Sequence, residues 1–224
     1  MQKLIEGVHS FHRETFRHQR ELFDELALRQ TPEVLFITCA DSRIVPNTLT
    51  NTGAGDLFII RNAGNIVPPA GSPDRGVEAT IEYAVQVLGI KDIIVCGHSN
   101  CGAMRALIDP RPLESLPAMR DWLEYAAETR KIVAKSYQHL EGEARVMAAV
   151  EENVLEQLDH VSHLPSVAPA LARGAVKLHG WVYKIKTGEV FHYDPSEGQY
   201  LSLDDQDPKD APTPFAPAVV VDGP

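Results

Sequence analysis

Cysteine is scarce in this chain: three occur in 224 residues, an odd number and too few for a disulfide framework. That scarcity argues against the stapled design of small secreted domains. It suits a reducing compartment, with the cytoplasm as the expected location, where thiols serve as ligands or nucleophiles. Long apolar runs are also missing. No stretch approaches the ~20 residues of a membrane-spanning helix, and residues 1–14 lack the apolar core of a secretory signal. Basic residues are in deficit, 21 Lys and Arg against 31 Asp and Glu, giving a formal net charge of -10. A surface of that sign repels polyanions, so neither nucleic acid nor a membrane is an expected partner.

What is present is an ordinary globular composition, 44% apolar and 23% charged, in a chain long enough to bury a sizeable core. Residues 1–203 read as one catalytic domain. Residues 204–224 read as an acidic, proline-rich tail, with Asp204, Asp205, Asp207 and Asp210 ahead of Pro212, Pro214, Pro217 and Pro224.

Leu4, Ile5, Val8 and Phe11, then Leu22 and Leu26, recur at helical spacing among charged residues and predict one or two amphipathic opening helices. Residues 34–37, 57–60 and 93–96 are apolar runs of strand length, and a polar or glycine-rich loop follows each. Val77, Ile81, Ala84, Val85 and Leu88 trace a helix that stops at Gly89. Residues 116–158 are mostly helical in pattern, with a break near 137–142 and a stripe of Val146, Val150, Val154 and Leu158. Residues 176–185 and 190–193 flank a glycine turn and predict a hairpin. The expected fold is therefore α/β, with a mostly parallel central sheet, an antiparallel edge strand and helices on both faces. Ligands of such sheets sit at the carboxyl ends of strands.

Cys39 and His98 both fall at such ends, and Cys101 is separated from His98 by two residues in Gly97-His98-Ser99-Asn100-Cys101-Gly102. The helical pattern that follows places Cys101 near a helix N-terminus, where backbone N–H groups favour a thiolate. Two thiolates and an imidazole leave a tetrahedral zinc one ligand short, the mark of a catalytic rather than a structural site. The stretch Cys39-Ala40-Asp41-Ser42-Arg43 adds a carboxylate and a guanidinium suited to a bidentate pair. Cys96 sits inside an apolar strand and reads as core. His9 and His12, like His160 and His163, repeat at helical spacing and read as solvated helix faces. Gly53-Ala54-Gly55 lacks the third glycine of a dinucleotide fingerprint and precedes its strand.

Together the Cys39 and His98 motifs, the Arg61-Asn62-Ala63-Gly64-Asn65 loop and His179-Gly180-Trp181-Val182-Tyr183 resemble the β-class carbonic anhydrases, from about residue 4 to 203. The resemblance implies that Cys39, His98 and Cys101 hold Zn2+, and that Asp41 and Arg43 form the catalytic dyad. It further implies that the Gly102 N–H faces the substrate pocket, and that zinc hydroxide attacks CO2 to give bicarbonate and a proton. Alternatively, Asp41 fills the fourth zinc position in a resting state. Because two thiolates donate more charge than imidazoles, an alkaline-shifted activity profile is expected, relative to the water pKa of about 7 reached with three histidines.

Family members assemble as dimers or multiples of dimers, so the opening helices are expected to pack on a partner subunit. The family's regulatory bicarbonate residues match Phe36, Arg61 and Tyr183, with phenylalanine where a tryptophan is usual, and no glutamine stands at residues 65–76. Ala40 replaces the usual serine. Two rival functions are a carbonyl sulfide or carbon disulfide hydrolase on the same scaffold and a non-catalytic zinc protein. A further expectation is that Phe215 and Val219 to Val221 form an apolar patch for a scaffold or carboxysome-type shell.

Overall fold

The computed structural model describes residues 1–109 and 111–217. Its strands are β1 (Val34–Cys39), β2 (Leu57–Asn62), β3 (Asp92–His98), β4 (Lys177–Tyr183), β5 (Val190–Asp194) and β6 (Gln199–Ser202). They form one sheet in the order β2-β1-β3-β4-β5-β6. The first four are parallel, and β5 and β6 add in antiparallel fashion. The expected mostly parallel sheet with an antiparallel margin is thus present, with a sixth strand beyond the anticipated hairpin. That strand, Gln199-Tyr200-Leu201-Ser202, is too short to show a hydrophobic period; it pairs because Gly198, at φ 65°, turns the chain back along β5.

The helices are α1 (Gln2–Arg13), α2 (Thr15–His18), α3 (Arg20–Leu26), α4 (Pro46–Leu49), α5 (Gly76–Gln86), α6 (Gly102–Ile108), α7 (Pro117–Leu123), α8 (Ala127–Ser136), α9 (Gly142–Ser162) and α10 (Ala168–Ala172). Leu35, Phe36 and Ile37 of β1 are fully buried, as the continuous apolar run of a central parallel strand requires. α9 lays Val146, Val150, Val154 and Leu158 on the core, each burial stabilising by roughly 1.5–3 kcal/mol. It packs so closely that a Cβ on Gly97 would meet Val150 Cγ1 at 2.7 Å, and one on Gly180 would meet Leu158 Cδ1 at 2.8 Å. Two strand glycines therefore set the distance of the longest helix from the sheet.

α1 to α3 contain no buried residue, and Leu4 and Val8 are 64% and 65% exposed. The three helices are tied to each other by Phe11, Phe16 and Phe23, with Phe11 edge-on to Phe23 at 5.6 Å. No described helix is long and apolar enough to cross a membrane.

Within the acidic, proline-rich segment after β6, one residue returns to the sheet. β5 covers only the second half of β4, and Phe215 occupies the edge left open: its N–H donates to the Leu178 carbonyl at 2.7 Å, and its ring packs on Tyr193. Phe215 is half-buried and belongs to the sheet margin, not to an exposed docking patch. Val219 to Val221 lie outside the described residues.

Candidate metal centre

β1 and β3 lie side by side, so their last residues, Cys39 and His98, emerge at the same end of the sheet. One more ladder bond, from the Ser99 N–H to the Tyr183 carbonyl at 2.8 Å, continues β3 past His98. Asn100 then takes a left-handed φ of 56°, which asparagine tolerates better than most residues, and Cys101 follows as the N-cap of α6. This tight turn returns the Cys101 sulfur toward His98. The ligand atoms of Cys39, His98 and Cys101 lie within 4.8 Å of one another, and all three residues are buried.

His98 Nδ1 lies 3.0 Å from the Ser99 carbonyl, which can only accept, so the ring proton sits on Nδ1. Nε2 therefore carries the lone pair, and it is buried without a hydrogen-bond partner. A buried lone pair beside two sulfurs fits a coordinated metal ion. The donor set of two sulfurs and one imidazole is soft and leaves a tetrahedral ion one open position.

The Cys39 thiol is pulled down to about 4, first by its hydrogen bond with Cys101 and, against the opposing effect of burial, by His98 and the backbone N–H groups of Gly64 and Asp41. Cys101 is pushed in the opposite direction by that same bond with Cys39 and by burial, although the N–H groups of Met104 and Ala103 at the start of α6 favour its thiolate. A divalent cation would relieve both by compensating the sulfur charge. Cys96 has no such partner: burial alone pushes its thiol up, and it is core, as expected.

Asp41 stands at the rim of the cluster. Arg43 grips both carboxylate oxygens, Nε to Oδ1 at 2.9 Å and NH2 to Oδ2 at 2.7 Å, and its own N–H adds a third bond to Oδ1 at 3.0 Å. The side-chain bond from Arg43 is the main reason the Asp41 carboxyl titrates well below the usual carboxylate range. Arg43 also donates to the Asn100 carbonyl at 3.1 Å, which joins the Cys39 loop to the His98 turn. Asp41 Oδ2 lies 3.9 Å from His98 Nε2, so the carboxylate faces the cluster while held back by the guanidinium. Gly102 opens α6, and a Cβ added there would meet nothing within 4 Å, so free space adjoins its backbone.

Arg61 has a role that sequence reasoning missed. Its guanidinium donates to the carbonyls of Cys39, Asp41 and Ile44, at 3.0, 2.7 and 2.8 Å through NH2, and so braces the loop that carries the first sulfur and the carboxylate. Phe36 is fully buried, edge-on to Trp181 at 6.1 Å. Of the residues matching a regulatory bicarbonate site, Phe36 is thus committed to packing and Arg61 to loop support, while Tyr183 lines a cavity beside Arg43.

His160 likewise departs from the solvated histidine expected, since its Nδ1 bonds the Val67 carbonyl at 2.8 Å. It belongs to a row on α9, with the buried Asn153 and Gln157, that holds the 64–67 loop. Asn153 donates to the Gly64 carbonyl at 3.0 Å, and the Gln157 carbonyl oxygen accepts from the Val67 N–H at 2.8 Å. The signal was available in the sequence: two amides four residues apart on the apolar stripe of α9.

The carbonic anhydrase family description matches residues 34–190. A carbonic anhydrase of Synechocystis sp. is 44% identical over 229 aligned residues, covering 99% of this chain and 84% of the relative. The solved structure of the β-carbonic anhydrase CcaA superposes with a TM-score of 0.88 at 47% identity, covering 90% of this chain and 91% of that one. One of two tetrameric β-carbonic anhydrases from the ascomycete Sordaria macrospora gives a TM-score of 0.79 at 28% identity, over 85% of this chain and 95% of that one. A buried Cys/His/Cys cluster at the strand ends, on this sheet and with these relatives, makes the chain a member of the β-class carbonic anhydrase family, and an enzyme of that family.

Proposed function

We propose that the chain catalyses the reversible hydration of CO2 to bicarbonate and a proton with one zinc ion held by Cys39, His98 and Cys101. The observation that carries this reading is the convergence of two sulfurs and an unpartnered imidazole nitrogen beside a carboxylate fixed through both of its oxygens. A zinc ion there supplies Lewis acidity, which lowers the pKa of water far below its bulk value.

The protein's own groups do the rest. Asp41 accepts a hydrogen bond from the attacking oxygen and aims its lone pair at the carbon of CO2. With its carboxyl held so far down by Arg43, it orients rather than removes a proton. Arg43 fixes that aim through its bidentate grip. The Gly102 N–H, with open space beside it, receives a substrate oxygen. Bicarbonate leaves to solvent, and the proton follows. Because Asp41 remains ionised across the neutral range, the rise in activity with pH comes from the ligand set and extends to alkaline pH. A stopped-flow CO2 hydration assay from pH 6 to 9 tests this: the account expects a rising curve, and a flat one contradicts it.

The assembly in this reading is a homodimer or a multiple of dimers. The exposed apolar face of α1 supports it, as does charge: in residues 1–20, Lys3, Arg13, Arg17 and Arg20 outnumber Glu6 and Glu14, whereas the whole chain carries -10. A basic arm suits the acidic body of a second copy. Cytoplasmic residence belongs to the same reading, since all three cysteines are unpaired.

A further inference from the structure

The Ala63–Gly64 peptide links two groups that are remote in sequence. Its N–H donates to the Cys39 sulfur at 3.4 Å, and its carbonyl, that of Ala63, accepts from the Trp122 indole N–H at 2.8 Å. One rigid peptide plane therefore lies between an indole and a thiolate. Donation to a peptide carbonyl polarises the amide and strengthens what its N–H gives in turn. The plane is also confined. Gly64 has a φ of 83°, and a Cβ there would meet Ala103 Cβ at 3.0 Å and Met104 Cε at 3.1 Å, so the loop lies directly against α6. Asn153 fixes the next carbonyl at 3.0 Å.

We infer that Trp122 is a positioning residue for the metal centre: through the Ala63–Gly64 peptide it orients and strengthens the hydrogen bond to the Cys39 sulfur. This inference rests on the reading of Cys39 as a metal ligand. An N–H···S bond stabilises the sulfur lone pairs, which sets the energy of the thiolate, and it keeps the sulfur aimed, which favours binding of the metal. Outer partners of metal ligands commonly govern affinity by about tenfold or more. Trp122 touches no reacting atom; it acts through the peptide.

The test uses the full-length protein loaded with Co(II), whose sulfur-to-metal charge-transfer band reports the energy of the thiolate lone pairs. Metal affinity is measured in parallel by competition with a chelator. Trp122→Phe removes the donor. Replacing Trp122 by benzothienylalanine, which exchanges the indole N–H for sulfur at nearly constant shape, guards against a folding defect. Tyr125→Leu removes the ring that packs edge-on against Trp122 at 5.7 Å and leaves the hydrogen bond in place.

Both Trp122 replacements are expected to move the band to longer wavelength and to raise the metal dissociation constant about tenfold, with Tyr125→Leu staying at the wild-type values. A benzothienylalanine protein with wild-type band and affinity would overturn the inference, as would a Tyr125→Leu protein that shows the same changes. If the wild-type protein itself shows no sulfur-to-cobalt band, the metal site fails, and this inference falls with it.

Discussion

The loop end of the sheet and the helical arm follow opposite rules. Around Cys39, His98 and Cys101, polar groups are taken out of water and held by one another: Arg61 braces the first loop, Arg43 ties it to the second, and α9 and Trp122 hold the third. Along α1 to α3 it is apolar side chains that face water, with no residue buried. The candidate metal cluster is thus complete within one chain, whereas the arm keeps an exposed apolar face that the proposed assembly would cover. Affinity for metal and assembly should respond to separate sets of substitutions.

The largest effect is expected from Cys101→Ser, which removes a sulfur from a three-ligand site. Zinc content and CO2 hydration should both fall to background while circular dichroism shows the fold retained. Asp41→Asn comes next and should part the two roles: zinc by elemental analysis near one per chain, and kcat lowered about a hundredfold through lost orientation. An Asp41→Asn protein that loses metal and activity in parallel would make the carboxylate a ligand rather than an orienting group.

The arm is tested by Leu4→Glu combined with Val8→Glu, which places charge on its apolar face. Sedimentation should shift toward a smaller species, with zinc per chain unchanged; loss of zinc would break the separation between the two regions. The smallest effect is expected for Cys96→Ala, a core cysteine two residues from a ligand. Its zinc content should equal the wild type, and its stability should fall by about 1 kcal/mol in urea unfolding.

The two regions were not equally legible in the sequence. The convergence of Cys39, His98 and Cys101 was readable because thiols and imidazoles at strand ends have few other uses, and because an apolar run marks each strand before them. The arm's amphipathy was readable from spacing alone. The supports were not: Arg61 acts through backbone carbonyls, which carry no residue identity, and Trp122 and Asn153 reach the Ala63–Gly64 loop across 59 and 89 residues of chain. β6 escaped notice because four residues cannot show a period, and Phe215 because pairing with Leu178 depends on how much of β4 its neighbour leaves uncovered. Short-range chemistry is written in motifs, whereas long-range support appears only after folding.

The central claim is that catalysis depends on one ion held by Cys39, His98 and Cys101. Its most direct test is CO2 hydration by the purified protein before chelation, after chelation and after addition of one equivalent of zinc. The account predicts one zinc per chain, activity lost with the metal and restored by zinc. Full activity in protein shown to be metal-free would contradict it.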